Sequence, residues 1–207
     1  MEQSSTPVIP PQQTGKQSDI IEQVVATDAT QARNNFHVAA GRLLAINSWA
    51  AFSEGISATF ALTDAEGKPK QEKPQPGDYI KIDIPGPSAS AGNGYDWARI
   101  ELVENKTSPG AAEEYIAMRV RPAAPPGQPG ETAHFFDEAA TSSFIIKRMN
   151  NIVTAEIHGR NEKANTDTEH VKDKIRNTLV SWGARAGLSG VQWTKLAKGL
   201  LNGLQQQ

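Results

Sequence analysis

Between residues 56 and 158 the chain repeatedly alternates apolar with polar side chains. This is the period-two signature of a half-buried β-strand, whose successive side chains point to opposite faces. Ile56, Ala58, Phe60 and Leu62 alternate with Ser57, Thr59 and Thr63, and Ile80, Ile82 and Ile84 with Tyr79, Lys81 and Asp83. Ala98, Ile100 and Leu102 alternate with Arg99 and Glu101, and Ile116, Met118 and Val120 with Arg119 and Arg121. Phe144 and Ile146 share a face in the next segment; Val153, Ala155 and Ile157 then oppose Thr154, Glu156 and His158. Met149-Asn150-Asn151 predicts a hairpin turn joining the last two strands. The run Ile20–Thr27 is a candidate first strand, so the sheet has six to seven.

Helical periodicity brackets these strands. Asp28 is placed to cap a helix N-terminus with Gln31 in the capping-box position, and Ala32, Phe36, Ala39, Ala40 and Leu43 then form one apolar stripe. Asn47-Ser48 interrupts that helix, and Trp49 to Phe52 predicts a further short turn. Thr166 with Glu169 opens a long helix carrying Val171, Ile175, Leu179, Trp182 and Ala186 on one face and ending at Gly187. Ser189 with Gln192 opens a last one, with Trp193, Leu196, Leu200 and Leu204. Gly199 and Gly203 are expected to weaken it by roughly 1 kcal/mol each relative to alanine.

Residues 1–18, with Pro7, Pro10 and Pro11 among Gln and Ser, predict a disordered arm, leaving residues 19–204 as a single α+β domain. Gly67–Gly77, Pro85–Gly94 and Pro122–Gly130 read as long loops between strands. Of 207 residues 38% are hydrophobic, enough for one sizeable core, and a net charge of -2 gives no global electrostatic reason to expect nucleic acid or an anionic membrane. The chain has no cysteine, which rules out disulfides, thiolate metal sites and cysteine nucleophiles and fits a reducing cytoplasm, as it would a disulfide-free exported protein. The first residues lack the pattern of a secretory signal, and the longest apolar stretches are interrupted by Arg42, Asn47, Lys195 and Lys198, so no transmembrane segment is expected.

The order of a strand, helices, six strands in succession and a long amphipathic helix resembles the helix-grip arrangement of the START and polyketide-cyclase-like (SRPBCC) superfamily. The resemblance spans Ile20 to Ala186, with Ile46-Asn47-Ser48-Trp49 where such chains turn from short helices into the second strand. It implies a curved antiparallel sheet wrapped around a long C-terminal helix with an apolar cavity between them, and no catalytic motif to carry over. The helix after Gly187 and the three long loops depart from that pattern.

Candidate chemistry is sparse. His134 with Asp137 and Glu138 is the nearest approach to a metal cluster, but zinc sites use three or four ligands and nothing nearby completes this one, so loop polarity accounts for it and no metal is expected. His37 and His170 sit in no metal-ligand spacing. Glu156 and His158 could act as general acid and base if their strand face lined a cleft; otherwise they form a surface charge pair. Gly92-Asn93-Gly94 lacks a phosphate-loop spacing, and Tyr95 and Trp97 beside it could stack on a sugar or a base or be buried against a neighbour. No G-x-S-x-G turn surrounds Ser142 or Ser143. Lys174, Arg176, Arg185, Lys195 and Lys198 make the C-terminal end basic; such a helix could lie on an anionic membrane or touch nucleic-acid phosphates, or its cations could complement the helix dipole on a solvated face, which accounts for them better.

Three readings follow. The first is a binding domain for a small apolar or amphipathic molecule, walled by Phe60, Ile82, Ile100, Met118, Phe144 and Trp182 with Trp49 at the mouth, and requiring no cofactor. In the second, residues 189–204 dock on a copy of the chain or on another protein and make a homo-oligomer. The third is a small cyclase- or hydrolase-type enzyme using Glu156 and His158; it predicts perturbed titration of His158.

Overall fold

The computed structural model describes residues 8–54, 58–83, 95–108, 110–127, 139–162 and 190–204. Seven strands follow the alternating runs: β1 Lys16–Val25, β2 Thr59–Thr63, β3 Tyr79–Asp83, β4 Asp96–Lys106, β5 Glu113–Pro122, β6 Thr141–Met149 and β7 Ile152–Glu162. They form one sheet in the order β1-β7-β6-β5-β4-β3-β2, antiparallel at every step. Register places like with like: Phe60 faces Ile82, Ile100 faces Val120, Met118 faces Phe144, and Val24 faces Val153. Val24 on one edge strand and Phe60 and Leu62 on the other belong to a single buried cluster, so the sheet curls until its two ends share one core.

The alternation fails at one strand. A register shift between Ile100 and Leu102 makes Glu101 a bulge residue, which turns the rest of β4 over. Val103 then takes the inward position opposite Met118, and Leu102 packs on the outer face beside Tyr115, Ala117 and Ile145. Glu101 itself accepts hydrogen bonds from Arg119 Nε at 3.0 Å and Arg121 Nε at 2.5 Å. Between β6 and β7 the hairpin turns at Asn150, whose φ of 55° suits asparagine better than a bulkier residue.

The concave side is covered by helices. α1 spans Ala29–Leu44, a 3-10 turn covers Ile46–Ser48, and α2 covers Trp49–Phe52. The Asp28 side chain accepts from the Gln31 amide at 2.8 Å, as the capping pattern predicts, while Gln31 Oε1 returns to the Thr27 amide at 2.8 Å. The buried stripe is the expected one with Asn35 added.

Residues 190–201 form the last helix, α3. Read from sequence as an extra terminal element with a docking face, it is the helix that the curled sheet grips among the described residues. Leu196, Ala197, Leu200, Leu201 and Leu204 are buried in the chain's own core, which removes the exposed leucine face that docking through 189–204 requires. The long helix expected over Val171–Ala186, with Trp182, lies outside the described residues.

Gly199 within α3 and Gly203 just after it also have a different meaning from the expected one. A Cβ at Gly199 would stand 2.4 Å from the Phe52 carbonyl oxygen and 2.7 Å from Ser53 Oγ, an overlap that costs on the order of 1–3 kcal/mol. The missing side chain is what lets α3 cross α2 so closely. Gly203, at φ 67°, ends the helix in the left-handed conformation that glycine tolerates. Arg42 of α1 donates from Nη1 to the carbonyls of Leu200 at 3.1 Å and Asn202 at 2.7 Å, a cation on the negative end of α3.

The N-terminal segment is the other difference. β1 begins at Lys16, and residues 8–15, assigned to a disordered arm, run over the convex face of the sheet. Val8 is fully buried among Tyr115, Ala117 and Ile145, and its carbonyl accepts from Ser143 Oγ at 2.9 Å. Asn161 fastens the rest: its Oδ1 accepts from the amides of Gln13 at 2.7 Å and Thr14 at 3.1 Å, its Nδ2 donates to the Pro11 carbonyl at 3.3 Å, and its own amide donates to Gln12 Oε1 at 2.9 Å. Residues 1–7 lie outside the described residues.

Candidate functional site

The concave face brings together most of the side chains expected to wall a ligand space. Strands β2, β4, β5 and β6 supply Phe60, Ile100, Met118 and Phe144 at inward positions, and α2 supplies Trp49; all five are buried in one cluster. Ile82 is partly buried at the margin. Trp49 meets Phe60 edge-on at 5.2 Å between ring centroids and Phe144 at 5.2 Å.

Trp193 of α3 completes the group, 5.4 Å from Phe144 and 6.1 Å from Phe60. Its ring is half-buried, whereas Trp49, expected at the mouth of the space, is only 1% exposed and donates its indole N–H to the Leu43 carbonyl at 3.0 Å. The boundary tryptophan is therefore Trp193 and the central one Trp49. The apolar spacing of Trp193 with Leu196 and Leu200 predicts a docking face, and the chain buries that face in its own core.

At the end of the concave side near α1 lies an ion cluster that sequence reasoning missed. Glu114 is fully buried and Arg148 nearly so. Arg148 Nε donates to Glu114 Oε2 at 2.9 Å, while Glu114 Oε1 accepts from Arg33 Nη2 and the Ser108 amide, each at 3.2 Å. The Arg148 guanidinium also donates to the carbonyls of Asn150, at 3.0 Å, and Ala111. Every charged edge is thus used in tying α1, the β4–β5 turn and the β6–β7 hairpin together. The cluster organises the end of the core, and none of these bonds is directed at a space for substrate.

Glu156 and His158 fall on the opposite, convex face. His158 lies across from Asp19 in the β1–β7 register. Its Nδ1 is 2.5 Å from Asp19 Oδ1, its Nε2 is 3.0 Å from Glu156 Oε2, and Arg160 Nη2 reaches Asp19 at 2.7 Å. Burial works against charge on the ring, but the hydrogen bonds to Glu156 and Asp19 outweigh it and hold His158 above the ordinary imidazole value. Burial likewise opposes charge on Glu156 and Asp19, and it is outweighed for Glu156 by His158 and Thr154 and for Asp19 by His158 and Arg160, so both carboxyls are held low. The perturbed titration predicted for an acid–base pair is present, with a different meaning. A carboxylate against each ring nitrogen favours the protonated ring, which has no lone pair to accept a proton, and the group joins the first strand to the last on the side away from the aromatic cluster.

The remaining candidates are dispersed. Lys81 Nζ sits 3.4 Å above the Tyr95 ring and Trp97 meets Tyr79 edge-on at 6.5 Å, both on the convex face, while Gly92-Asn93-Gly94 lies outside the described residues. His134, Asp137, Glu138 and His170 also lie outside them, as do Lys174, Arg176 and Arg185. His37 is exposed on α1, and Ser143 is buried under Val8. Lys198 reaches Glu22 at 3.9 Å. No group of three or more histidine or acidic side chains among the described residues could hold a metal ion, and no helix among them is long and apolar enough to cross a membrane.

No protein-family model matches the sequence, and neither does any curated protein. Several solved structures are similar over most of their length. The Zhui aromatase/cyclase from a Streptomyces species is 10% identical, covering 89% of this chain and 93% of that one with a TM-score of 0.43. A START superfamily protein from Mycobacterium smegmatis is 11% identical, covering 92% and 97% with a TM-score of 0.38. Norcoclaurine synthase from Thalictrum flavum is 11% identical, covering 98% and 100% with a TM-score of 0.36.

Proposed function

We propose that this chain is a helix-grip binding domain that holds a small apolar or amphipathic molecule between the concave face of its sheet and α3. The observation that supports this reading is the convergence of four aromatic rings from four separate elements, Trp49, Phe60, Phe144 and Trp193, with Trp193 and Ile82 at the boundary of the cluster. Aromatic side chains offer large apolar contact area with few rotatable bonds, which suits recognition of flat or chain-like apolar groups. Among the described residues α3 lies over that surface, so a ligand would enter by displacement of α3 or of the Trp193 ring. The Asp19–His158–Glu156 group lies on the opposite, convex face, so it takes no part in this aromatic surface.

Native mass spectra of the full chain as purified test this directly, followed by titration with a pyrene-labelled fatty acid read by energy transfer from tryptophan. An added apolar mass, or saturable transfer that Trp193→Ala abolishes, is the expected result. A bare polypeptide mass together with no saturable transfer at micromolar probe removes the binding reading.

A further inference from the structure

The sheet has two edges, and the chain treats them differently. β2 is five residues long and its outer backbone is occupied: the Leu62 amide donates to Asn47 Oδ1 at 2.7 Å, the Leu62 carbonyl accepts from the Lys70 amide at 2.9 Å, and Thr63 bridges to Pro69. Asn47 Nδ2 fixes this cover by donating to the Lys70 carbonyl at 2.8 Å. β1 is ten residues long and pairs with β7 alone.

From Ser18 to Val25 the β1 register runs without a shift, and the segment contains no proline and no lysine. Among the described residues, no turn, loop or cap hydrogen bond reaches β1, and the side-chain donor to a β1 carbonyl, Arg160 on Ser18, comes from β7. Its convex face carries Ile21, which at 56% is the most exposed large apolar side chain among the described residues. Long edge strands are ordinarily blunted by proline, lysine, a bulge or a covering loop, because their free backbone groups otherwise recruit another strand. Among the described residues, β2 has such a cover and β1, from Ser18 on, has none.

We propose that β1 is an association edge whose partner is β1 of a second copy of this chain, paired antiparallel about a two-fold axis at Ile21. Both copies must keep their apolar faces on the same side, which excludes every register displaced by one residue. A dyad at Asp19 or at Glu22 sets a carboxylate directly against its own copy, and one at Ile20 sets Ile21 against Asp19. The dyad at Ile21 sets Ile21 against Ile21, Asp19 against Gln23, Ile20 against Glu22 and Ser18 against Val24, with no like charges opposed over residues 17–25. Asp19 arrives at that contact already compensated by His158 and Arg160. The contact is self-complementary, as a two-fold interface requires, and it joins two sheets into one while leaving both concave faces untouched, so it stands independently of the binding reading.

The absence of cysteine from the chain gives a clean test. Single variants Ile21→Cys, Gln23→Cys and Val38→Cys, the last an exposed site on α1, are oxidised at low micromolar concentration and read on non-reducing gels. Directly opposed strand residues approach to about 4.5–5.5 Å between Cβ atoms, at the edge of disulfide reach, so Ile21→Cys should form a covalent dimer while Gln23→Cys and Val38→Cys remain monomeric. In parallel, sedimentation equilibrium of the unaltered chain should show a reversible dimer that Ile21→Lys weakens by about tenfold or more. If the chain is monomeric at all concentrations, or Ile21→Cys cross-links no faster than Val38→Cys, the edge does not pair with itself. Equal cross-linking at Ile21 and Gln23 overturns the register. If Ile21→Lys does not fold, the cysteine series decides alone.

Discussion

On the concave face, Trp49, Phe60, Phe144 and Trp193 meet beneath α3 and shape is held by apolar packing. On the convex face, Asp19, Glu156, His158 and Arg160 hold β1 to β7 through charge, and Asn161 holds residues 11–14 through its amide. Among the described residues, the buried apolar cluster there is the patch around Val8. The first face depends on area removed from water, which any fitting side chain supplies in proportion to its size. The second depends on particular donors and acceptors, each of which loses its value if its partner is removed. One sheet thus has a side tolerant of changes of chemical detail and a side sensitive to them.

Removing volume from the concave face should have the largest effect. Phe144→Ala takes away the ring that touches both Trp49 and Trp193 and should lower unfolding free energy by about 3–5 kcal/mol, read from chemical denaturation. A loss below about 1 kcal/mol would mean that the cluster is loosely packed and would blur the contrast between the faces.

A middle-sized effect is expected on the other side. Asn161→Ala removes three of the bonds to the arm and places alanine at a φ of 57°, so stability should fall by about 1–3 kcal/mol and proteolysis within residues 8–15 should accelerate. Cleavage unchanged from the parent chain would mean that Val8 alone retains the segment.

The smallest effect is one of pH. His158 is held above its ordinary value, so its contribution is complete below about pH 6.5 and fades as pH rises through the raised folded value. Asp19 and Glu156 are held low, so theirs is present above the ordinary carboxylate range and fades as pH falls through their lowered values. The seam should therefore be firmest in mildly acidic solution. His158→Gln should flatten the alkaline limb of stability against pH while leaving the concave face unaltered. An unchanged limb would show that the carboxylates need no cation between them.

These differences also account for what could be read in the sequence. Alternation located the strands because each inward residue has its cause two positions away, and Asp28 marked the start of α1 because its partner, Gln31, is three residues on. Glu101 defeated the pattern at β4, since a bulge adds one residue without leaving a local signature. The roles of Asp19, Arg42, Glu114 and Asn161 rest on partners far along the chain, and no local pattern pairs Asn161 with Pro11 or Arg42 with Asn202. Among ligand-wall residues, Phe60, Ile100, Met118 and Phe144 were legible from alternation alone. Trp193 was not, because its burial depends on which helix the sheet encloses.

The pairing of the first strand with the last carries a consequence for biosynthesis. Asp19 and His158 are 139 residues apart, so β1 leaves the ribosome long before β7 exists to receive it. Until translation has passed Glu162, Ile20, Ile21, Val24 and Val25 have no strand to join, and closure of the sheet is a late event with a large loop-entropy cost. A chain stalled before that point would present a naked apolar segment to its surroundings, which is the situation that holdase chaperones serve.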